Sequence, residues 1–428
     1  MALPQAKQDK LAAFCAGLSL SKTGWSAYAR AEAFARLSGM GLPDKRDEYW
    51  RYTDPTALTA ADAQPVGTTA ATDEAPLFSA IEHLKLVFND GVFDSALSDD
   101  LGLAGVEIDL LSRTSELDIH WARESYATLE KRGQSPVPRP LAALNSAFAT
   151  EGLLIRVTAK VDRPISIVYV NNSITSDAML HHCIKLEAGA ALTLLENGPG
   201  AARFNTVMEV DLADGANFHH VRAQGRTHER HAATHIFARL AAAAVFKSFT
   251  VTANGALTRN EAVIELLGDD AIAHVAGAAV GDGKFLHDDT VFITHAGQRC
   301  ESRQVFKKVL KNGAVGVFQG KILVKQGAQK TDGYQISQSL MLDDDSQFLA
   351  KPELEIYADD VKCSHGSTSG AIDDTALFYL RSRGVPLKDA QSLLVLAFLA
   401  EAIAEIEDDA VAEDIRSRLE GWLSRHGG

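Results

Sequence analysis

From about residue 150 to about residue 360 the chain repeats short runs in which apolar and polar positions alternate. In TVMEVDL, Met208, Val210 and Leu212 alternate with Glu209 and Asp211, and in KILVK, Ile322 and Val324 do the same, which is the period of a strand with one buried face. A recurring turn precedes several of these runs, with Gly-Ala after a polar or small residue: EAGAALTLLE, ADGANFHHVR, ANGALTRNEAVIELL and KNGAVGVFQGKILV. Almost no helical period intervenes, so a parallel sheet with a helix between successive strands is excluded. The turns are unevenly spaced, from roughly 15 to beyond about 40 residues, which a solenoid with variable corners tolerates because each turn of chain needs only its neighbours. A sandwich fits the same pattern, and the periodicity leaves both open.

The flanks follow a helical period. Leu11, Phe14, Cys15 and Leu18, then Ala27 to Leu37, predict two helices before Pro43. KLVFNDGVFDS predicts a hairpin about Asn89-Asp90-Gly91, and GVEIDLL a further strand. A helix is expected over Leu117–Lys131, and SPVPRP then breaks the chain near Pro140. After Asp373, TALFYLRSRGV predicts a short helix closed by Gly384, Pro386 opens a second, and AVAEDIRSRLEGWLSR forms a third. The expected organisation is therefore a helical and small mixed region over 1–140, a strand-rich core over 141–360 and a helical domain over 361–428. Helices at the end of a solenoid are expected to cover its unpaired edge.

Composition narrows the function. With 428 residues, 46% hydrophobic and 23% charged, the chain can bury a large core. A net charge of -14 and the lack of a basic patch argue against nucleic acid as partner. LAAFCAGLSL has the length of a secretory apolar core but fits a helix pair better, and LLVLAFLA is too short to span a bilayer, so a cytoplasmic protein with no membrane partner is expected. Cys15, Cys183, Cys300 and Cys363 lie far apart without a C-x-x-C, which fits a reducing compartment and supplies no local four-thiolate site.

The candidate chemistry lies at the end of the strand-rich region. In ADDVKCSHG, which reads as the end of a strand, Cys363 and His365 are two residues apart and project to one face, where thiolate and imidazole suit iron, zinc or copper(I). His181 and Cys183 in HHC share that spacing, so spacing alone does not separate the pairs. A structural or solvated role is favoured over zinc for these two and for His219, His220, His228, His231 and His235, and a structural one for His287, His295, Asp288 and Asp289 in FLHDDTVFITH. Gln329, Lys330 and Asp332 read as rung-to-rung hydrogen bonding, and the Asp runs as solvated turns. No phosphate loop, G-x-G-x-x-G or G-x-S-x-G is present. Core packing is the plainer reading of Phe378 and Tyr379.

Four stretches, DEYWRYTDPTAL, TVFITHAGQRCESRQVFKKVLKNGAVGVFQG, GKILVKQGAQKTDGYQISQSLML and ADDVKCSHGSTSGAIDDTALFYLRSRGV, resemble the SufB/SufD family, the last of them its SufD branch. The likeness covers most of the span from about 145 to about 405. It implies a right-handed parallel β-helix flanked by helical regions. It also implies a non-enzymatic scaffold that works with a SufB-like paralogue and a SufC-like ABC-type ATPase in assembling iron-sulfur clusters. The resemblance carries His365, with Cys363, to the interface where the nascent cluster forms, and carries ATPase docking to the helical region containing Phe378, Tyr379 and Arg381. Ser367 and Ser369 depart from the small aliphatic residues more common there. The resemblance allows a reduced flavin in the assembled complex and implies no cofactor in the isolated chain, which could pair with itself through a free solenoid edge. Two other readings are a carbohydrate-active enzyme on a β-solenoid, for which no convergent carboxylates can be assigned, and the SufB paralogue itself, against which the CSHG segment argues.

Overall fold

Two helices open the chain, α1 (Gln5–Cys15) and α2 (Ala27–Met40), and their helical period buries Leu11, Phe14, Ala33 and Leu37 on one side. The computed structural model describes residues 3–67, 77–198, 200–225 and 229–426, so His228 lies outside the described residues. Strands β1 (Leu84–Asn89) and β2 (Val92–Phe93) form the expected hairpin, with Asp90 and Gly91 at positive φ, and β3 (Val106–Leu110) follows. Short helices α3 (Leu111–Thr114) and α4 (Thr128–Arg132) lead to α5 (Pro140–Phe148), whose first residue is the proline that ends the SPVPRP break.

The continuous helix expected over Leu117–Lys131 does not form. A 3-10 turn at Trp121–Glu124 and α4 are separated by Ala127 at φ 58°. The Glu209 carboxylate reaches out from the sheet below and accepts the backbone N–H groups of Ala127 (2.5 Å) and Glu130 (2.8 Å). That tertiary contact outweighs local helix propensity.

Sixteen further strands alternate between two sheets: β4 (Leu153–Val157), β5 (Ile165–Val170), β6 (Asp177–Leu186), β7 (Ala191–Asn197), β8 (Arg203–Leu212), β9 (Asn217–Gln224), β10 (His231–Leu240), β11 (Val245–Ala253), β12 (Leu257–Leu266), β13 (Ile272–Asp282), β14 (Leu286–His295), β15 (Glu301–Lys311), β16 (Val315–Val324), β17 (Asp332–Met341), β18 (Gln347–Ile356) and β19 (Lys362–Gly370). Odd-numbered strands from β5 to β19 pair in parallel, with β1 and β2 at their first edge, and even-numbered strands from β4 to β18 pair in parallel, with antiparallel β3 at theirs. Each circuit of chain therefore adds one strand to each sheet. The fold is a parallel β-solenoid, and the sandwich that the pattern also allowed is set aside. Inward residues such as Leu194, Phe218, Phe246, Ile264, Ile293, Phe306 and Phe318 meet between the sheets.

One corner shows how consecutive turns lock. Gly189, Gly215, Ala243, Asp270, Arg299 and Lys330 all have positive φ and stand 26, 28, 27, 29 and 31 residues apart. Each donates its N–H to the carbonyl just before its counterpart in the next turn, as Gly189 does to Asp214 (2.9 Å), Gly215 to Ala242 (2.8 Å) and Ala243 to Asp269 (2.8 Å). EAGAA and ADGAN lie at this corner, whereas ANGAL and KNGAV belong to the opposite one. The motifs are unevenly spaced in the sequence because they belong to two different corners.

The solenoid continues beyond residue 360 through β19, and helix begins at α6 (Asp374–Ser382), followed by α7 (Leu387–Ile403) and α8 (Asp409–His426). These helices do not cover the solenoid end as expected. They lie on the outer face of the odd-numbered sheet, α7 against β13 and β15 and α8 against β11. Val395, Leu399, Ile415 and Trp422 there bury Val251, Ala278 and Val309, an apolar outer surface that would otherwise face water. Among the described residues no strand pairs with the free sides of β18 and β19, and most of β19 is exposed.

Two outcomes follow. Replacing Ala243 with glycine should raise stability by about 1 kcal/mol, because a side chain at positive φ is strained where glycine is not; a lower chemical denaturation midpoint would contradict this account of the corner. Burial holds His182 and His235 down at about 4. The unfolded chain binds those protons below about pH 6.5, so stability is full above that pH and falls between 6.5 and 4, by on the order of 3 kcal/mol per histidine. Urea midpoints compared at pH 7.5 and 5 should show the loss, and equal midpoints would count against it.

Candidate functional site

Among the described residues β19 pairs with β17 alone, placing Cys363 beside Gly333, His365 beside Gln335 and Ser367 beside Ser337. The alternation that sequence predicts puts Cys363 and His365 on one face. Contact of Cys363 with the cluster of Ile322, Val324 and Ala328 identifies that face as the solenoid interior. The two side chains thus line the inside of the last turn, at its open end. Cys363 is half-buried, and burial pushes its thiol above the ordinary range, so it is held as a neutral thiol. His365 is exposed, and its imidazole makes no hydrogen bond among the described residues. A thiol and an imidazole are two soft-to-borderline ligands, short of a complete set for a cluster, and the rest must come from beyond the edge.

Beneath them runs a column of inward polar residues that the sequence reading did not single out. Gln304, Gln335 and His365 occupy one register position on β15, β17 and β19, and Gln335 Nε2 donates to Gln304 Oε1 (2.9 Å). Ser337 Oγ lies 3.2 Å from Ser367 Oγ. Gly333, Gln335, Ser337 and Ser339 fall at every second place in GYQISQS, and polar side chains at the buried period of a strand were the available signal.

Polar groups continue deeper inside. The Tyr169 hydroxyl donates to Glu196 Oε1 (2.7 Å), and Arg222 Nε donates to Glu196 Oε2 (2.7 Å) beside His220 Nε2 (2.7 Å). Arg222 Nη1 donates to Thr234 Oγ1 (2.9 Å), whose hydroxyl donates to Asn260 Oδ1 (2.7 Å). Asn260 then meets His287 Nε2 at 3.1 Å, and Lys308 Nζ sits 2.8 Å from His287 Nδ1 and donates to Asp289 Oδ2 (2.6 Å). His287 and Asp289 are thereby engaged in a buried network. His295 Nε2 lies 2.8 Å from Ser302 Oγ inside the solenoid, whereas His235, on the outward side of β10, lies 3.2 Å from the Thr206 carbonyl. His219 is buried and His231 half-buried. Lys330 pairs with Asp360 (2.7 Å), and Gln329 Oε1 accepts from the Asp360 N–H (2.9 Å), so these two form links between turns; Asp332 is exposed at the start of β17.

The outer faces hold the other candidates. His181, Cys183 and Glu209 are buried beneath the N-terminal segment with potential ligand atoms all within 4.8 Å of one another. Each is already engaged. His181 Nε2 is 2.8 Å from Glu209 Oε2, its Nδ1 is 3.1 Å from Asn145 Oδ1, and the same carboxylate holds Ala127 and Glu130. Along the even-numbered sheet, Tyr49 caps four turns: its carbonyl accepts from Arg259 (3.0 Å) and Gln319 (3.1 Å), its hydroxyl donates to Glu353 (2.6 Å), and Arg259 pairs with Glu261 and Asp288. Although burial alone would raise it, Arg259 and Arg139 hold Glu261 down at about 2.

Helix α6 overturns the core reading of its aromatics. Phe378 is 74% and Tyr379 57% exposed, and no α6 residue is fully buried. The helix packs against α7, and its residues Phe378 and Tyr379 remain open to solvent; Arg381 is exposed there as well, and the Arg383 guanidinium sits 5.0 Å from the Tyr379 ring centroid.

Comparison with known proteins agrees along the chain. The family described as SUF system FeS cluster assembly, SufBD core domain, matches residues 169–398, and the SufBD protein N-terminal region matches 21–167. The iron-sulfur cluster assembly protein SufD of Escherichia coli (strain K12) is 27% identical over 397 residues, 90% of either chain. SufD of Bacillus subtilis (strain 168) is 29% identical over 291 residues, 65% of this chain and 66% of that one. An iron-sulfur cluster assembly SufBD family protein of Synechocystis is 28% identical over 394 residues, 86% and 85% of the two chains.

If His181, Cys183 and Glu209 serve structure, Glu209→Ala should cost roughly 3–5 kcal/mol by stranding a buried histidine and two backbone donors. Added zinc should leave the wild-type melting temperature unchanged. Zinc-dependent stabilisation, lost in Cys183→Ser, would make the cluster a metal site instead.

Proposed function

This chain belongs to the SufBD family of iron-sulfur cluster assembly proteins and is SufD-like, and on that premise we propose that it is a non-enzymatic scaffold subunit whose open solenoid edge completes a cluster-assembly site with a partner. The observation that carries the reading is the unpaired last turn, where Cys363 and His365 face inward at an edge that no other described strand closes. An unpaired parallel strand presents a row of backbone donors and acceptors, and a second solenoid ending in the same way would supply the complementary row. A SufB-like paralogue is the proposed occupant; pairing of two copies of this chain uses the same edge when the paralogue is absent.

The chemistry is a division of ligands. In the neutral imidazole of His365 one nitrogen carries a lone pair able to hold iron, and Cys363 becomes a ligand once the cation draws off its proton. Neither side chain is surrounded by enough donors to hold a cluster in the isolated subunit, which suits a site that must release its product. Iron and sulfide are cargo here, and the subunit supplies position. The exposed Phe378, Tyr379 and Arg381 on α6 form the proposed docking surface for a SufC-like ATPase, since an exposed aromatic pair beside arginine is the composition that interface centres favour.

Co-expression with SufB-like and SufC-like subunits, followed by light-scattering mass, tests the assembly. A stoichiometric complex is expected, and Phe378→Asp with Tyr379→Asp should release the ATPase while the paralogue stays bound. His365→Ala should leave the complex intact and lower cluster formation by roughly tenfold or more, since loss of even an outer partner of a metal ligand costs that much. No association under reducing conditions, or undiminished assembly by the His365 variant, would overturn the respective parts of the reading.

A further inference from the structure

We propose that Gln335 is a positioning residue for His365: its unpaired side-chain oxygen takes up the imidazole N–H when the exposed ring turns inward over it, and so fixes the tautomer whose free nitrogen faces the open edge. The inference rests on the reading of that edge as the assembly site.

Two buried amides stack beneath the histidine. Gln304 and Gln335 are fully buried, and the Gln335 Nε2 is turned back toward the previous turn, where it donates to Gln304 Oε1 (2.9 Å). With Nε2 so engaged, Oε1 of the same amide is left for the following turn, and it has no hydrogen-bond partner despite its burial. The residue in register on the following turn is His365. Neighbouring strands lie about 4.8 Å apart, so an amide on one and an imidazole on the next are within hydrogen-bonding reach when both point to the same face. One position further along, Ser337 and Ser367 already meet across this gap at 3.2 Å.

The site is shaped for the amide. Across the interior from it stands Gly320, where an added Cβ would lie 2.3 Å from Gln335 Nε2, so any larger residue would displace the side chain. A glutamine at this place has a particular chemical merit. It accepts one hydrogen bond without carrying charge, so it orients the ring without favouring the imidazolium, which could not bind metal.

The test uses the full chain with nitrogen-15-labelled histidine, the His365 resonances being assigned by their loss in His365→Ala. At pH 8 the two ring nitrogens of wild-type His365 should be widely separated, the signature of one tautomer. In Gln335→Leu they should converge toward the average of a free imidazole, while Gln335→Glu, which keeps an acceptor oxygen, should hold them apart. In the assembled complex Gln335→Leu should lower cluster formation about tenfold. Melting temperatures check that each variant is folded, and Gln335→Met replaces the leucine variant if that one fails to fold. An averaged tautomer in the wild type, or one indifferent to residue 335, overturns the inference. The outcomes separate from those of the assembly reading: a tautomer set by Gln335 together with normal assembly by His365→Ala would retain the positioning contact and discard the cluster role, and the converse pattern would do the opposite.

Discussion

Everything in this molecule depends on the backbone ladder between one turn of chain and the next. A parallel strand has no partner within its own turn, so its N–H and C=O groups are satisfied only by the turns on either side. Each circuit must then return the chain to the same register, and the corner residues with positive φ do this while their own N–H groups join the ladder. The cost appears at Ala243, Asp270, Arg299 and Lys330, where side chains occupy a conformation suited to glycine. The strain persists because the bond from each corner N–H to the following turn holds the corner in place.

The ladder also explains the two ends. At the start, β2 and β3 run antiparallel to their neighbours and stop the sheets with short strands. At the finish β18 and β19 stop without such a device. The C-terminal helices that might have covered them pack instead on the outer face of β11, β13 and β15, whose apolar side chains they bury. An edge left in this state is a place for another chain, and the pair of metal-competent side chains lies on it.

Polar groups divide by the same geometry. Outward charges on the even-numbered sheet, Arg259, Glu261 and Asp288 among them, are buried only because the segment about Tyr49 and Trp50 crosses several turns above them, with Arg259 4.2 Å from the Trp50 ring centroid. Inward polar residues form their own networks, from Tyr169 and Glu196 to Lys308 and Asp289, each group finding partners on the next turn or the facing sheet. Near the open end the pairing runs out at Gln335 Oε1 and at the exposed His365 ring. Polar groups left unpaired at the last turn are what a shared site requires.

Much of this was legible in the chain itself. Period-two alternation determined the strands, helical period and Gly or Pro stops determined the terminal helices, and the spacing of Cys363 and His365 placed both on one face, because these properties are set by neighbours within a few residues. The choice between solenoid and sandwich was not legible in the pattern, since alternation is identical in both and successive corner residues from Gly189 to Lys330 lie 26 to 31 residues apart. Nor was the interruption of the Leu117–Lys131 helix, which a carboxylate from β8 imposes, nor the exposure of Phe378 and Tyr379, nor the side of the sheet that the C-terminal helices take. Those depend on which surfaces compete for burial once the turns have stacked, and that competition exists only in three dimensions.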